Sequence, residues 1–164
     1  MKLKISILNH FRVLSFHIMG TIFMIVSLYF LAFDVGFVLA FGSWYVFLTV
    51  PSVFLHLQYY FANRNMEVQI NSAELAIIRK NLNVERFRIA DFTKIILYKS
   101  ASIDKGGIQL TPIESYHYLR IITKSERQII ITCLMHPKLD SVIASLNGVP
   151  KLRKKRLFCD LIRE

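Results

Sequence analysis

Residues 13–61 read VLSFHIMGTIFMIVSLYFLAFDVGFVLAFGSWYVFLTVPSVFLHLQYYF, two long apolar runs broken only at Asp34-Val35-Gly36. The first run, 13–33, holds no formally charged residue, and neither does the second, 35–60. A helix needs about 20 apolar residues to cross the hydrocarbon core of a bilayer, and each run is that long. Lipid offers no partner to backbone N–H and C=O groups, so such runs persist there only as helices that close their own hydrogen bonds. The pattern predicts a hairpin of two antiparallel transmembrane helices over 13–61.

The flanks set an orientation. Residues 1–12, MKLKISILNHFR, place Lys2, Lys4 and Arg12 before the first run, and Arg64, Arg79 and Lys80 follow the second. The connection between runs carries Asp34 and no Lys or Arg. Positive charge stays on the cytoplasmic side, so both termini are expected in the cytoplasm. The first run is too long for a signal-peptide core and its end lacks a small-residue cleavage site, so it is expected to be retained. Pro51 removes one helical hydrogen bond and predicts a kink in the second helix. His17 and His56 both fall near the cytoplasmic interface. They are candidates for a proton-sensitive or metal-binding pair, against the plainer reading that each reaches toward headgroups and water. Gly20, Gly36 and Gly42 permit close helix approach, yet form no GxxxG pair.

The 164 residues leave room for the hairpin and one domain of about 100 residues. A formal charge of +10 and a pI near 9.8 suit either nucleic acid or an anionic membrane face. The hairpin favours the membrane. Setting aside Lys2, Lys4, Arg12 and Asp34 leaves 18 basic and 10 acidic residues, so the rest of the chain is itself basic. Cys133 and Cys159 are too few for a disulfide framework or a zinc site and fit a reducing compartment.

From Met66 the period changes to two. MEVQIN alternates Met66, Val68 and Ile70 with polar residues, as a strand with one buried face does. LAIIRK, VERFRI and KIILYKS continue the series, with turns expected at 71–74 and 81–83 and an interruption at 90–93. Residues 101–112, with Asp104-Lys105-Gly106-Gly107, read as a loop. Two more strands, 116–123 and 128–134, flank the polar loop 124–127. A final helix is marked by Pro137 at its start and Gly148 past its end, with Leu139, Val142, Ile143 and Leu146 forming one apolar stripe. That stripe suits a cap over the open end of the strands.

Six or seven antiparallel strands followed by one amphipathic helix resemble the pleckstrin-homology (PH) barrel. Two N-terminal spans ahead of MEVQINSAELAIIRKNLNVERFRIADFTKIILYKS are similar to the bacterial membrane-anchored PH-like proteins, whose spaced hydrophobic phrase is matched by ERFRIADFTKIILY, residues 85–98. The resemblance implies an α+β membrane protein: a cytoplasmic segment at 1–12, the hairpin at 13–61, a cytoplasmic PH-like barrel at 65–149 capped by the C-terminal helix, and a basic amphipathic tail at 150–164. It implies a bacterial inner-membrane location and supplies no catalytic residues. In eukaryotic PH domains, phosphoinositide binding uses Lys and Arg around the first strand pair. The loop at 71–74 here has none.

The densest polar feature is KLRKKR, with Lys151, Arg153, Lys154, Lys155 and Arg156. Each basic residue near an anionic surface contributes roughly 1 kcal/mol, which makes these five the candidate lipid-binding residues. They also fit a plain solvated tail. Leu157, Phe158, Leu161 and Ile162 fit a short helix on the membrane, or docking onto a partner or back onto the domain. Tyr116, Tyr118 and Arg120 share a strand, where a core role outweighs base stacking. No phosphate loop, HExxH, CxxC or nucleophile elbow is present. Glu114, His117 and Asp104 lack metal-ligand spacing, and Cys133 fits a small buried hydrophobe. The sequence therefore predicts a non-enzymatic protein without cofactor or metal, whose PH-like domain is a protein-interaction or self-assembly module at the membrane. Its expected partners are membrane lipids and a membrane protein or second copy, not nucleic acid or a small-molecule substrate. The alternatives are an anionic-lipid sensor built on KLRKKR and a membrane-resident immunity or protective protein.

Overall fold

The computed structural model describes residues 1–30, 34–71, 73–80, 84–104 and 111–161. The turn expected at 81–83, most of the loop after Asp104, Ser72 and Ile162 lie outside the described residues.

The apolar runs form helices α1 (Ile7–Phe30) and α2 (Val35–Asn63). The Asp34 side chain caps α2 by accepting a hydrogen bond from the Phe37 N–H at 2.8 Å, which satisfies one orphan donor of the first turn. At 1.5 Å per residue α1 is about 36 Å long and α2 about 44 Å. Helix α1 starts six residues before the apolar run, and α2 continues through Pro51 as one helix. Both are long and apolar enough to cross a membrane. Only 6% and 11% of their most apolar windows are buried inside the chain, which separates them from the covered core helices of a water-soluble fold.

Strand alternation builds the rest. β1 (Lys2–Lys4), β2 (Met66–Ile70), β3 (Glu74–Arg79) and β4 (Val84–Arg88) form an antiparallel sheet in that order. β5 (Phe92–Lys99), β6 (Tyr118–Thr123), β7 (Gln128–Thr132) and β8 (Lys151–Lys155) form a second, ordered β7-β6-β5-β8. The pair β5/β8 is parallel and the other pairs are antiparallel. A single helical turn, α3 (Ala101–Asp104), follows β5 inside the expected loop, and α4 (Leu139–Ser145) precedes β8.

One core lies where Leu3, Val68, Leu75 and Ile77 of the first sheet meet Ile95, Leu97, Leu119 and Ile121 of the second, with Leu139, Val142 and Leu146 closing it. The α4 stripe thus does cover the strands. The expected closed barrel is not found. A 3-10 turn at Ile89–Asp91 stops the ladder between β4 and β5, so β5 begins a new sheet and two sheets share a core. Helix α4 is also not the last element. Past Gly148, held at φ 81, the chain returns as β8.

β5 is buried on both faces. Ile95 and Leu97 enter the shared core, while Ile96 and Tyr98 face outward into a second cluster with Tyr116, Tyr118, Cys133 and Leu134. Val13, Leu55 and Tyr59 of the helices complete that cluster. The hairpin base is therefore part of a hydrophobic core. Because β1 precedes the hairpin and β2 follows it, with Leu3 opposite Val68, the hairpin is an insertion between two paired strands.

Candidate functional site

Where the helices meet the second sheet, α1 and α2 turn polar toward it. Asn63 of α2 bridges β7 twice: its amide donates to the Ile130 carbonyl at 2.9 Å and its carbonyl accepts from the Thr132 N–H at 3.2 Å. Asn9 of α1 donates to the Leu134 carbonyl at 3.0 Å. The fully buried Tyr59 hydroxyl donates to the Cys159 carbonyl at 2.7 Å, and its ring stands edge-on to Tyr116 and Tyr118. Two amides and a hydroxyl with buried partners resist sliding far more than apolar contact alone. The junction fixes the angle between hairpin and sheets.

At the same level His10 Nδ1 lies 2.8 Å from His56 Nε2, and His56 Nδ1 lies 3.2 Å from the Tyr116 hydroxyl. This corrects the expected partner of His56. With α1 starting at Ile7, His10 falls opposite His56, and His17 sits about 10 Å further along the helix beside Tyr45, ring centroids 6.5 Å apart. Among the three glycines, Gly20 carries the close approach: a Cβ there would lie 3.2 Å from the Tyr45 ring, whose hydroxyl is 2.6 Å from Thr21 Oγ1.

The five candidate lipid-binding cations are placed on an edge strand rather than a tail. Lys151, Arg153, Lys154 and Lys155 are in β8, all exposed, and the Arg156 N–H extends the ladder to the Lys99 carbonyl. Strand alternation divides them. On one face Arg153 reaches Asp104 at 3.0 Å and Asp140 at 2.8 Å, with Lys155 3.6 Å from Asp104. On the other, Lys154 and Arg156 lie 5.8 and 4.9 Å from the Tyr98 ring centre, where the buried Arg120 also stacks at 5.5 Å. Tyr98 is stacked on Tyr118, with ring centres 4.6 Å apart. A single five-cation surface is therefore not formed. The residues after β8 do not make a membrane-lying helix among those described: Cys159 is buried and the Leu161 N–H points at Gln58 of α2, so this segment docks back onto the hairpin base.

Tyr116 and Tyr118 are fully buried, in keeping with a core role. Burial pushes the Tyr118 hydroxyl and the Cys133 thiol up to about 12 each, and the Cys159 thiol to about 11 against the pull of Arg156. Both thiols are free and buried. His117 is buried with its ring nitrogens 3.0 and 3.2 Å from the Ser115 and Pro137 carbonyls; burial lowers its pKa, and the two carbonyls oppose that. Among the described residues no three His, Cys, Asp or Glu side chains gather as a metal site.

Sequence reasoning missed Asn9, His10 and Asn63, although their signal was present: isolated polar residues at the two hairpin ends that converge on the sheet. It missed β1 and β8 for a different reason, since each is short and dominated by lysine and arginine.

A family model described as PH domain matches residues 3–142, and the chain belongs to that family. The match runs from β1 into α4, so it includes the hairpin and stops short of β8. No curated protein matches the chain.

Proposed function

We propose that this protein is a non-enzymatic interaction module anchored in the inner membrane of a bacterial cell, with both termini cytoplasmic and its PH-family sheets presented to a membrane-protein partner or a second copy. The observation that carries this reading is the hairpin: two apolar helices left uncovered along their length, yet locked at their base into the second sheet through Asn9, Tyr59 and Asn63. A flexible tether would only localise a domain. A locked one also orients it, which is what an assembly role requires. PH domains commonly bind lipids or proteins, and exposed sheet edges accept extended peptides. Photocrosslinkers placed at Glu85 of β4 and Leu152 of β8, in the full chain in native membranes, test the reading. Discrete adducts of defined mass are expected. A chain that stays monomeric with no adduct from either edge contradicts it.

A second reading rests on β8. Lys151, Arg153, Lys154, Lys155 and Arg156 would sense anionic headgroups, each contributing roughly 1 kcal/mol near the surface, less where Asp104 and Asp140 already neutralise Arg153 and Lys155. With the full chain in vesicles, replacing the five by Gln should abolish any salt-sensitive preference for anionic lipid. An unchanged preference removes this reading.

A further inference from the structure

At the hairpin base the helices are two-sided. Asn9 and Val13 of α1, and Ser52, Leu55, Tyr59 and Asn63 of α2, face the sheets and are buried. The opposite side carries Ile7, Leu8 and Phe11 on α1, and Val53, Phe54, Leu57 and Phe61 on α2. These residues lie beside the sheets, not beyond them, and are wide open: Ile7 is 76% exposed, Leu8 72% and Phe61 57%. An apolar strip of this size is not left in water without an occupant.

Three observations identify that occupant. The strip is continuous with the outer face of the spans, since on α2 exposed apolar side chains recur from Val35 to Phe61. It is free of charge: Arg12, the only charged residue in α1, lines a cavity of about 250 Å³ on the sheet side with His117, Cys133 and Lys138. It ends at cations. Arg64 lies over the Phe61 ring at 5.0 Å, and Lys4, Arg64, Arg79 and Lys80 line one cleft of about 350 Å³ beside it, where the one acid, Glu67, is ion-paired with Lys2. An uncharged apolar face that runs out under a basic rim has the order of a bilayer: hydrocarbon, then anionic headgroups.

We infer that the outward face of the hairpin base is immersed in the lipid of the same bilayer, so that the membrane boundary on α2 lies at Phe61 and Arg64 and the sheets rest against the membrane rather than standing clear of it. This rests on the reading of the hairpin as membrane-crossing. From Val35 to Phe61 the face is about 39 Å long at 1.5 Å per residue, against about 30 Å of hydrocarbon. Tilt, which reaches about 40° in membrane helices, and the interfacial layer take up the difference. Upright, with the boundary near Arg12 and Ser52, the strip would stand in water.

The chain has one tryptophan, Trp44, 62% exposed on the outer face of α2, which makes the test direct. The full-length protein, its W44F/F61W variant and its W44F/L57W variant are reconstituted at high lipid-to-protein ratio in vesicles whose phospholipid is brominated near the headgroup or near the chain ends. Bromine quenches only an indole it touches. The indole of F61W is expected to lose intensity in both lipids and more to headgroup-proximal bromine, while Trp44 loses more to chain-end bromine. L57W, one turn nearer the span, should behave between them and serves if F61W does not fold. Quenching of Trp44 with F61W and L57W both left at full intensity overturns the inference and leaves the crossing intact. Loss of quenching at Trp44 as well overturns the membrane reading itself.

Discussion

At the residue scale the junction rests on polar side chains that a bilayer-bound helix would have no reason to keep. Asn63 satisfies an acceptor and a donor of β7 at once. Truncating it strands both, so N63A should cost about 2 kcal/mol by the penalty for buried unpaired groups. Chemical denaturation in detergent checks this, and a change under about 0.5 kcal/mol would class Asn63 with ordinary surface positions. His117 carries a pH dependence of definite sign. Its ordinary value is 6.5 and burial lowers it, so the folded chain binds this proton less readily than the unfolded one. The stability it contributes is whole above pH 6.5 and drains as pH falls toward the lowered value. H117N should flatten the stability profile over that acid limb, measured by thermal unfolding at successive pH values.

At the element scale, what the sequence revealed followed from how local each signal was. β2 announces itself by alternation, and its inward residues Val68 and Ile70 are buried; β3 was read as a strand from an apolar run between two turns, and it buries Leu75 and Ile77. The α4 stripe was legible for the same reason, although the helix is only seven residues long. β1 and β8 were not legible. In MKLKI, Met1, Leu3 and Ile5 alternate with Lys2 and Lys4, but over too few residues to stand out beside a basic flank, and KLRKK has one apolar residue, Leu152, and so no period. What makes them strands is a neighbour distant in sequence, β2 for one and β5 for the other. The His10–His56 contact was hidden similarly, because the start of α1 at Ile7 is set by packing against the sheet rather than by the apolar run. Two outcomes follow at this scale. L3A should cost about 2–4 kcal/mol, as for a core leucine, where a mere flanking segment would tolerate it; protease resistance of the intact chain reports the difference. R153A should cost less than about 1 kcal/mol, because Arg153 is largely exposed and its ion pairs with Asp104 and Asp140 are solvent-screened.

At the scale of the whole molecule, the run of strands is interrupted by long helices once, between β1 and β2, and the interruption is the hairpin, which lies inside the stretch matched by the PH family model. Strands on both sides of it pair, so the hairpin and the two sheets are a single folding unit. Removing residues before 65 would remove β1, Leu3, Asn9 and the Tyr59 and Asn63 contacts together, and the remaining fragment should not hold the native core.

The most direct measurement asks whether the hairpin crosses. Native Cys133 and Cys159 are buried, so cysteines introduced at Val35, the exposed first residue of α2, and at Lys124, in the β6–β7 turn, report cleanly to an impermeant thiol reagent. On intact cells V35C should be labelled from outside and K124C only after permeabilisation. Labelling of both from the same side would mean that the helices do not span the membrane.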